Sequence, residues 1–297
     1  MRRNPWLAAL LSLPAPGLGQ IYAGRPLRGI ALYLGLLLWG AGSIFLGMVA
    51  PHPALRVGSH VLLLAGLLFV VTDAARTASR AGSHFVPGKY NRWYVYGAFV
   101  LVTAFVVGPA YTAVVRSTIA EALKSVSDAM SPTLLPGDFV YVAPRPGRPV
   151  RRGDVVVANH PEGYRFLQRV VGLPGDTLEM RAKVLFVNGR AQSEPYTRHI
   201  DPASDPSAEG MMWQRDHLVT GRTDPGEYRP SRDRWGPLVV PRGRYFLLGD
   251  NRDNSYDSRY VGLIADADIT GRPDWIYLSW DSERGAMRWG RIGSGIR

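Results

Sequence analysis

Three stretches without charge constrain this chain more than anything else in it, because an apolar run of about 20 residues must be buried in a large core or in a membrane. Residues 27–50 hold no charge after Arg28, and residues 57–72 and 94–115 hold none at all. At about 1.5 Å per helical residue, the first and third can cross roughly 30 Å of hydrocarbon. The second is shorter and contains His60, which also suits a buried soluble helix, but its closeness to the first favours a membrane hairpin. Trp93, Tyr94 and Tyr96 stand at the start of the third run, where aromatic rings sit at headgroup level. The leading segment starts basic like a signal peptide, yet Pro14, Pro16 and its glycines break it, so it reads as interfacial or re-entrant.

The loops give these runs a direction. Arg2, Arg3, Arg25 and Arg28 precede the first membrane span, Arg56 separates the first two, and Arg76, Arg80, Lys89 and Arg92 lie between the second and third. Cytoplasmic loops collect Lys and Arg. The N-terminus is therefore expected inside, and everything after about residue 116 outside, as in a multi-pass protein of the plasma (inner) membrane. The formal charge of +11 is almost wholly arginine, the lysines being Lys89, Lys124 and Lys183. Those arginines form no stripe with interleaved aromatics and accompany no nucleic-acid motif, so membrane lipid is the expected partner and nucleic acid is not. The absence of cysteine excludes disulfides and thiolate chemistry.

From about residue 134 the pattern changes to short alternating stretches separated by Pro and Gly, an all-β signature. Phe139–Val142, Asp154–Ala158, Arg244–Leu248 and Ile276–Trp280 read as strands, and Lys183–Arg190 as a strand running into an Asn188-Gly189 turn. The expected organisation is a membrane domain over 1–116, with spans 27–50, 57–72 and 94–115, and a β-rich extracytoplasmic domain over 117–280. Residues 191–240 are polar and rich in Pro, Asp and Arg, so they read as a long insertion with little core of its own, and 281–297 as a mobile tail.

One loop looks like a site. Gly249, Asp250, Asn251, Arg252, Asp253, Asn254, Ser255, Tyr256, Asp257, Ser258 and Arg259 crowd more charge and amide into a turn than a linker requires. With Met130-Ser131-Pro132-Thr133-Leu134 and Arg169-Val170-Val171-Gly172-Leu173-Pro174-Gly175-Asp176, this loop resembles the three-box pattern of bacterial signal peptidase I over roughly residues 90 to 280. The resemblance implies a serine endopeptidase that removes signal peptides from exported preproteins, with a Ser/Lys dyad. The family serine stands immediately before the Met of the first box and the family lysine immediately before the Arg of the second; this chain has Ala129 and Gln168 there. Alanine carries no nucleophilic atom and an amide nitrogen no basic lone pair, so proteolysis by the family mechanism is expected to be absent.

The resemblance also implies what should remain. Ser127 matches an oxyanion-hole serine, Met130, Pro132 and Thr133 match the scaffold of the first box, and Gly172, Pro174, Gly175 and Asp176 match a structural turn. Ser255 matches the serine that holds the lysine, and could here hold the amide of Gln168; Asp257 and Arg259 match a stabilising ion pair. The substrate strand would lie between residues 122–129 and 165–168, and its backbone bonding does not need the dyad. The expected role is thus a silent homologue that binds preproteins or an active partner peptidase. Three alternatives stand beside it: an enzyme with a displaced nucleophile, Ser127 or Ser131, and Lys124 or His160 as base; a chain inactivated by deliberate exchange of its serine for Ala129, against which Gln168 argues; or a purely structural membrane protein. A displacement of two residues along a strand moves the nucleophile by about 7 Å, away from the oxyanion donors. No cofactor or metal is expected, since Arg252 and Arg259 are expected to neutralise the carboxylates of the third box.

Overall fold

A computed structural model describes residues 3–81, 85–144, 149–201 and 208–296, so Arg2, residues 202–207 of the expected insertion and Arg297 of the expected tail lie outside it. The chain divides into two compact units, Met1–Glu121 and Ala122–Arg297.

The first unit is helical. Asn4 accepts from the backbone N–H of Trp6 and Leu7 and so caps α1 (Pro5–Ser12); α2 (Leu18–Tyr22) follows. Both belong to the broken leading segment, and they pack together and against the long helices. Gly17 and Gly29 lie backbone to backbone, and a Cβ on either would come within 2.3 Å of the other's carbonyl. Among the described residues, three helices are long and apolar enough to cross a membrane: α3 (Pro26–Val49), α4 (Pro53–Arg80) and α5 (Trp93–Thr118). The second of these outruns the charge-free stretch 57–72 because its first charge beyond it is neutralised. Asp73 receives two hydrogen bonds from Arg28, at 2.6 and 3.0 Å, and one from Gln20 Nε2 at 3.1 Å. A π-helical turn, Thr103–Val107, interrupts α5 just before Pro109, and the Gly108 N–H bonds the Thr103 carbonyl. Proline has no N–H and its ring crowds the carbonyl four residues back, so the widened turn absorbs the misfit.

The second unit is β-rich. Its strands are β1 (Glu121–Lys124), β2 (Asp138–Pro144), β3 (Val155–Asn159), β4 (Arg165–Gly172), β5 (Thr177–Arg181), β6 (Val184–Val187), β7 (Arg190–Ala191), β8 (Trp235–Val239), β9 (Arg244–Leu248), β10 (Ile264–Ala265), β11 (Ile269–Asp281) and β12 (Ala286–Met287). The larger sheet runs β1-β2-β11-β3-β4-β9-β10 with β12 on β11, and the smaller runs β7-β6-β5-β8. Val140 and Val142 alternate inward along β2, whereas Tyr245–Leu248 of β9 is a continuous buried run. Asn188 and Gly189 turn β6 into β7 with positive φ at both residues, as the Asn-Gly pair predicts. Ala182 and Lys183 make the same kind of turn between β5 and β6, at φ 47° and 69°, with no glycine or asparagine to announce it. Lys183 is held there by Asp233 and Asp253, each 3.0 Å away.

Two regions differ from expectation. Residues 191–240 supply core: Met211, Trp235, Leu238 and Val240 are buried with Leu178, Met180 and Phe246 under the smaller sheet. These apolar residues are too widely spaced among polar neighbours for a periodic pattern to reveal them. The tail, expected to be mobile, is fastened: β12 pairs with β11, Arg291 Nε donates to the buried Asp138 at 3.1 Å, and Ile296 packs on the core around Val140.

Candidate active site

Strand β4 carries Gln168 and Arg169 side by side, with Gln168 opposite Val156 and Arg169 opposite Val155 on β3. β9 pairs with β4 only from Arg169 onward, so the edge of Arg165–Gln168 away from β3 carries no strand among the described residues. That edge faces a cleft of about 470 Å³ whose other wall is the segment Leu123–Met130; Ser127, Ala129, Gln168 and Tyr256 all line it.

The three boxes meet in one buried network. Arg169, 1% exposed, donates from Nε and Nη2 to the two oxygens of Asp250 at 2.7 Å each, and from Nη1 to the Gly153 carbonyl at 2.7 Å. Thr133 donates to the same Asp250 and accepts from Arg169 Nη2, so one residue of each box closes the knot. Tyr196 lies under the Arg169 guanidinium, 3.9 Å from carbon to ring centre. Arg259 grips Asp257 with two bonds of 2.8 Å and donates to the Arg252 carbonyl at 2.7 Å, while Asp257 accepts from the Gly249 N–H at 3.1 Å. Asn251 fixes residue 129. Its N–H donates to the Ala129 carbonyl at 3.0 Å, and its Nδ2 to Asp128 Oδ2 at 2.8 Å. Gly249 allows this closeness: a Cβ there would lie 2.2 Å from Ser255 Oγ and 2.6 Å from the Ala129 carbonyl.

One expected charge pairing is corrected. Arg252 does not neutralise the acids of its own loop but reaches Glu194, with bonds of 2.9 and 2.7 Å. Asp250 is served by Arg169, and Asp253 by Lys183 and by the backbone N–H of Ile200 and Asp201, at 2.8 Å each. Burial alone would raise Asp253, but those donors, with Arg232, hold its carboxyl down to about 2. Glu194, Asp128 and Tyr196 belong to the site and were not picked out by sequence. Glu194 and Tyr196 lie in a segment with no motif, and only the fold brings them to the third box. Asp128 was adjacent to the first box but offered no chemistry by itself.

Ala129 and Gln168 stand at the two positions where the dyad is expected. Gln168, 2% exposed, donates from Nε2 to Ser255 Oγ at 3.2 Å, and its Oε1 is buried with no partner among the described residues. Ala129 presents a methyl group. Ser127 and Lys124 are both exposed and both line the cleft, and Lys124 Nζ lies 5.5 Å over the Phe139 ring. Ser131 is fully buried and donates to Asp128. His160 is buried, stacked on Tyr164 with ring centres 4.0 Å apart, and accepts at Nδ1 from the Glu162 N–H; burial lowers its pKa.

The family described as "Signal peptidase, peptidase S26" matches residues 93–280. A signal peptidase I of Pseudomonas aeruginosa is 35% identical over 198 residues, covering 56% of this chain and 68% of its own. One from Bacillus licheniformis is 30% identical over 190 residues, covering 63% of this chain and 91% of its own. A solved signal peptidase I from Enterococcus faecalis aligns with 42% of this chain and 97% of its own at 29% identity and a TM-score of 0.28, too loose a superposition to compare the folds. With the family match spanning the cleft and all three boxes, the chain belongs to the signal peptidase family, peptidase S26.

Proposed function

We propose that this chain is a proteolytically silent signal peptidase I homologue that keeps the family's peptide cleft and binds the signal-peptide region of exported preproteins without cutting it. Signal peptidase I enzymes remove signal peptides from such preproteins. The observation that carries the proposal is the pairing of an intact scaffold with two chemically inert positions: Ala129 and Gln168 line one cleft, and Gln168 is bonded to Ser255. Loss of a nucleophile or its base leaves only positioning and oxyanion stabilisation, a drop on the order of a millionfold in rate. The unpaired edge of Arg165–Gln168 is backbone, and a peptide strand can add to it whatever the side chain at 168. A purely structural remnant has no need of an open cleft.

The three apolar helices support a multi-pass membrane protein, and the arginine-bearing loops support an N-terminus on the cytoplasmic side with the cleft on the outer face. An active signal peptidase is a second candidate partner, which this chain would influence by holding its substrates.

The test is cleavage of a preprotein by the purified full-length protein in detergent, beside the Ala129→Ser/Gln168→Lys variant. Silence in the unaltered chain with cleavage by the variant is the expected result. Cleavage by the unaltered chain would overturn the proposal and direct attention to Ser127 and Lys124.

A further inference from the structure

The helical unit has a groove of its own, of about 1160 Å³. Leu27 and Ile30 of α3 and Val95, Ala98 and Phe99 of α5 make its apolar wall. Arg25 precedes α3 and Arg80 ends α4, so these cations stand at one end of the helices while the apolar wall continues along them. Among the described residues, no carboxylate lines the groove. Arg28, which also lines it, is committed to Asp73, whereas Arg25 and Arg80 have no acidic partner among the described residues. At the same end Tyr90, Trp93 and Tyr94 are exposed, the arrangement of side chains that sit at the level of lipid headgroups.

The ligand chemistry follows from these features. Two unpaired guanidiniums call for an anion, and arginine forks match phosphate oxygens. A free phosphate would leave the apolar wall uncovered, and the groove is larger than the roughly 300–1,000 Å³ of small-molecule sites. A zwitterionic headgroup would bring an ammonium group with no carboxylate to receive it. We propose that this groove binds an anionic glycerophospholipid, its phosphate against Arg25 and Arg80 and an acyl chain along α3 and α5. The proposal rests on the reading of this unit as membrane-embedded.

The test uses the full-length protein in detergent micelles carrying phosphatidylglycerol or phosphatidylcholine, with bound lipid read by native mass spectrometry. Phosphatidylglycerol should be retained in preference to phosphatidylcholine. Arg25→Gln/Arg80→Gln should weaken phosphatidylglycerol about thirtyfold, from the usual contribution of each cation, and abolish its preference over phosphatidylcholine. Ala98→Trp, which fills the apolar wall, should expel the lipid with both arginines in place, and Arg92→Gln, outside the groove, should change nothing. Equal retention of the two lipids, an unaffected double variant, or inorganic phosphate binding as tightly as phosphatidylglycerol would each overturn the proposal. Alkaline carbonate extraction separates the two levels of inference. Release of the protein from membranes sinks the membrane reading and the lipid site together, whereas retention with unselective lipid binding sinks the lipid site alone.

Discussion

Two sets of side chains share the cleft region and are held by different forces. The scaffold set, Arg169 with Asp250 and Arg259 with Asp257, consists of charges 0–1% exposed with every ion paired. The set at positions 129 and 168 is a methyl group and an amide with one of its two polar atoms satisfied. A buried charge that loses its partner destabilises the fold strongly, while a neutral side chain there makes no such demand. Stability therefore holds the scaffold in place even when chemistry is gone, and it says nothing about the dyad. An intact scaffold is evidence of fold, and under the proposed function residues 129 and 168 carry the test of catalysis.

The comparison breaks or sharpens first at the dyad. Ala129→Ser alone and Gln168→Lys alone should both stay silent, and only the double variant should gain cleavage, by up to about a millionfold over either single change. Substantial activity in one single variant would mean that another residue already supplies its missing partner. Next, Asp250→Asn should cost roughly 3–5 kcal/mol in chemical denaturation of the full chain, because Arg169 would be left buried without its countercharge. A loss near zero would show that the network is not what holds the boxes together. Gln168→Met should stay within about 1 kcal/mol of the unaltered protein, since it gives up one hydrogen bond and also removes an unpartnered buried oxygen. If it destabilised as much as Asp250→Asn, the two sets would not differ as described.

The smallest effect is a drift with pH. Burial keeps the folded His160 imidazole below its ordinary 6.5, so the unfolded chain takes up a proton that the folded chain refuses. The stability linked to His160 is complete above about pH 6.5 and declines as pH falls toward the lowered folded value. The melting temperature of the unaltered protein should fall more steeply between about pH 7 and 5 than that of His160→Phe, which keeps the ring stack on Tyr164. Equal slopes would remove His160 from the pH response.

Much of this was legible without coordinates, for reasons specific to each element. The Asn188-Gly189 turn is local, because both residues adopt positive φ at little cost. The neighbouring turn at Ala182-Lys183 was invisible, since its conformation is secured by Asp233 and Asp253, 50 and 70 residues away in sequence. The first box reads as a loop near a missing serine, yet its position depends on Asn251 holding the Ala129 carbonyl. α4 runs on past the charge-free stretch 57–72, with Asp73 bound by Arg28 and Gln20.

By itself the sequence determined the three long apolar runs, the β-rich second half, and that alanine and glutamine stand at 129 and 168. Those are matters of residue chemistry and short-range periodicity, which travel with the chain. Only the tertiary structure decided that Arg252 pairs with Glu194, that Met211 and Trp235 of an apparently coreless segment are buried, and that Gln168 donates to Ser255 while its Oε1 stays unpartnered. Partners far apart in sequence are chosen by which groups the fold removes from water together, and a buried polar group accepts whichever neighbour that shared burial supplies.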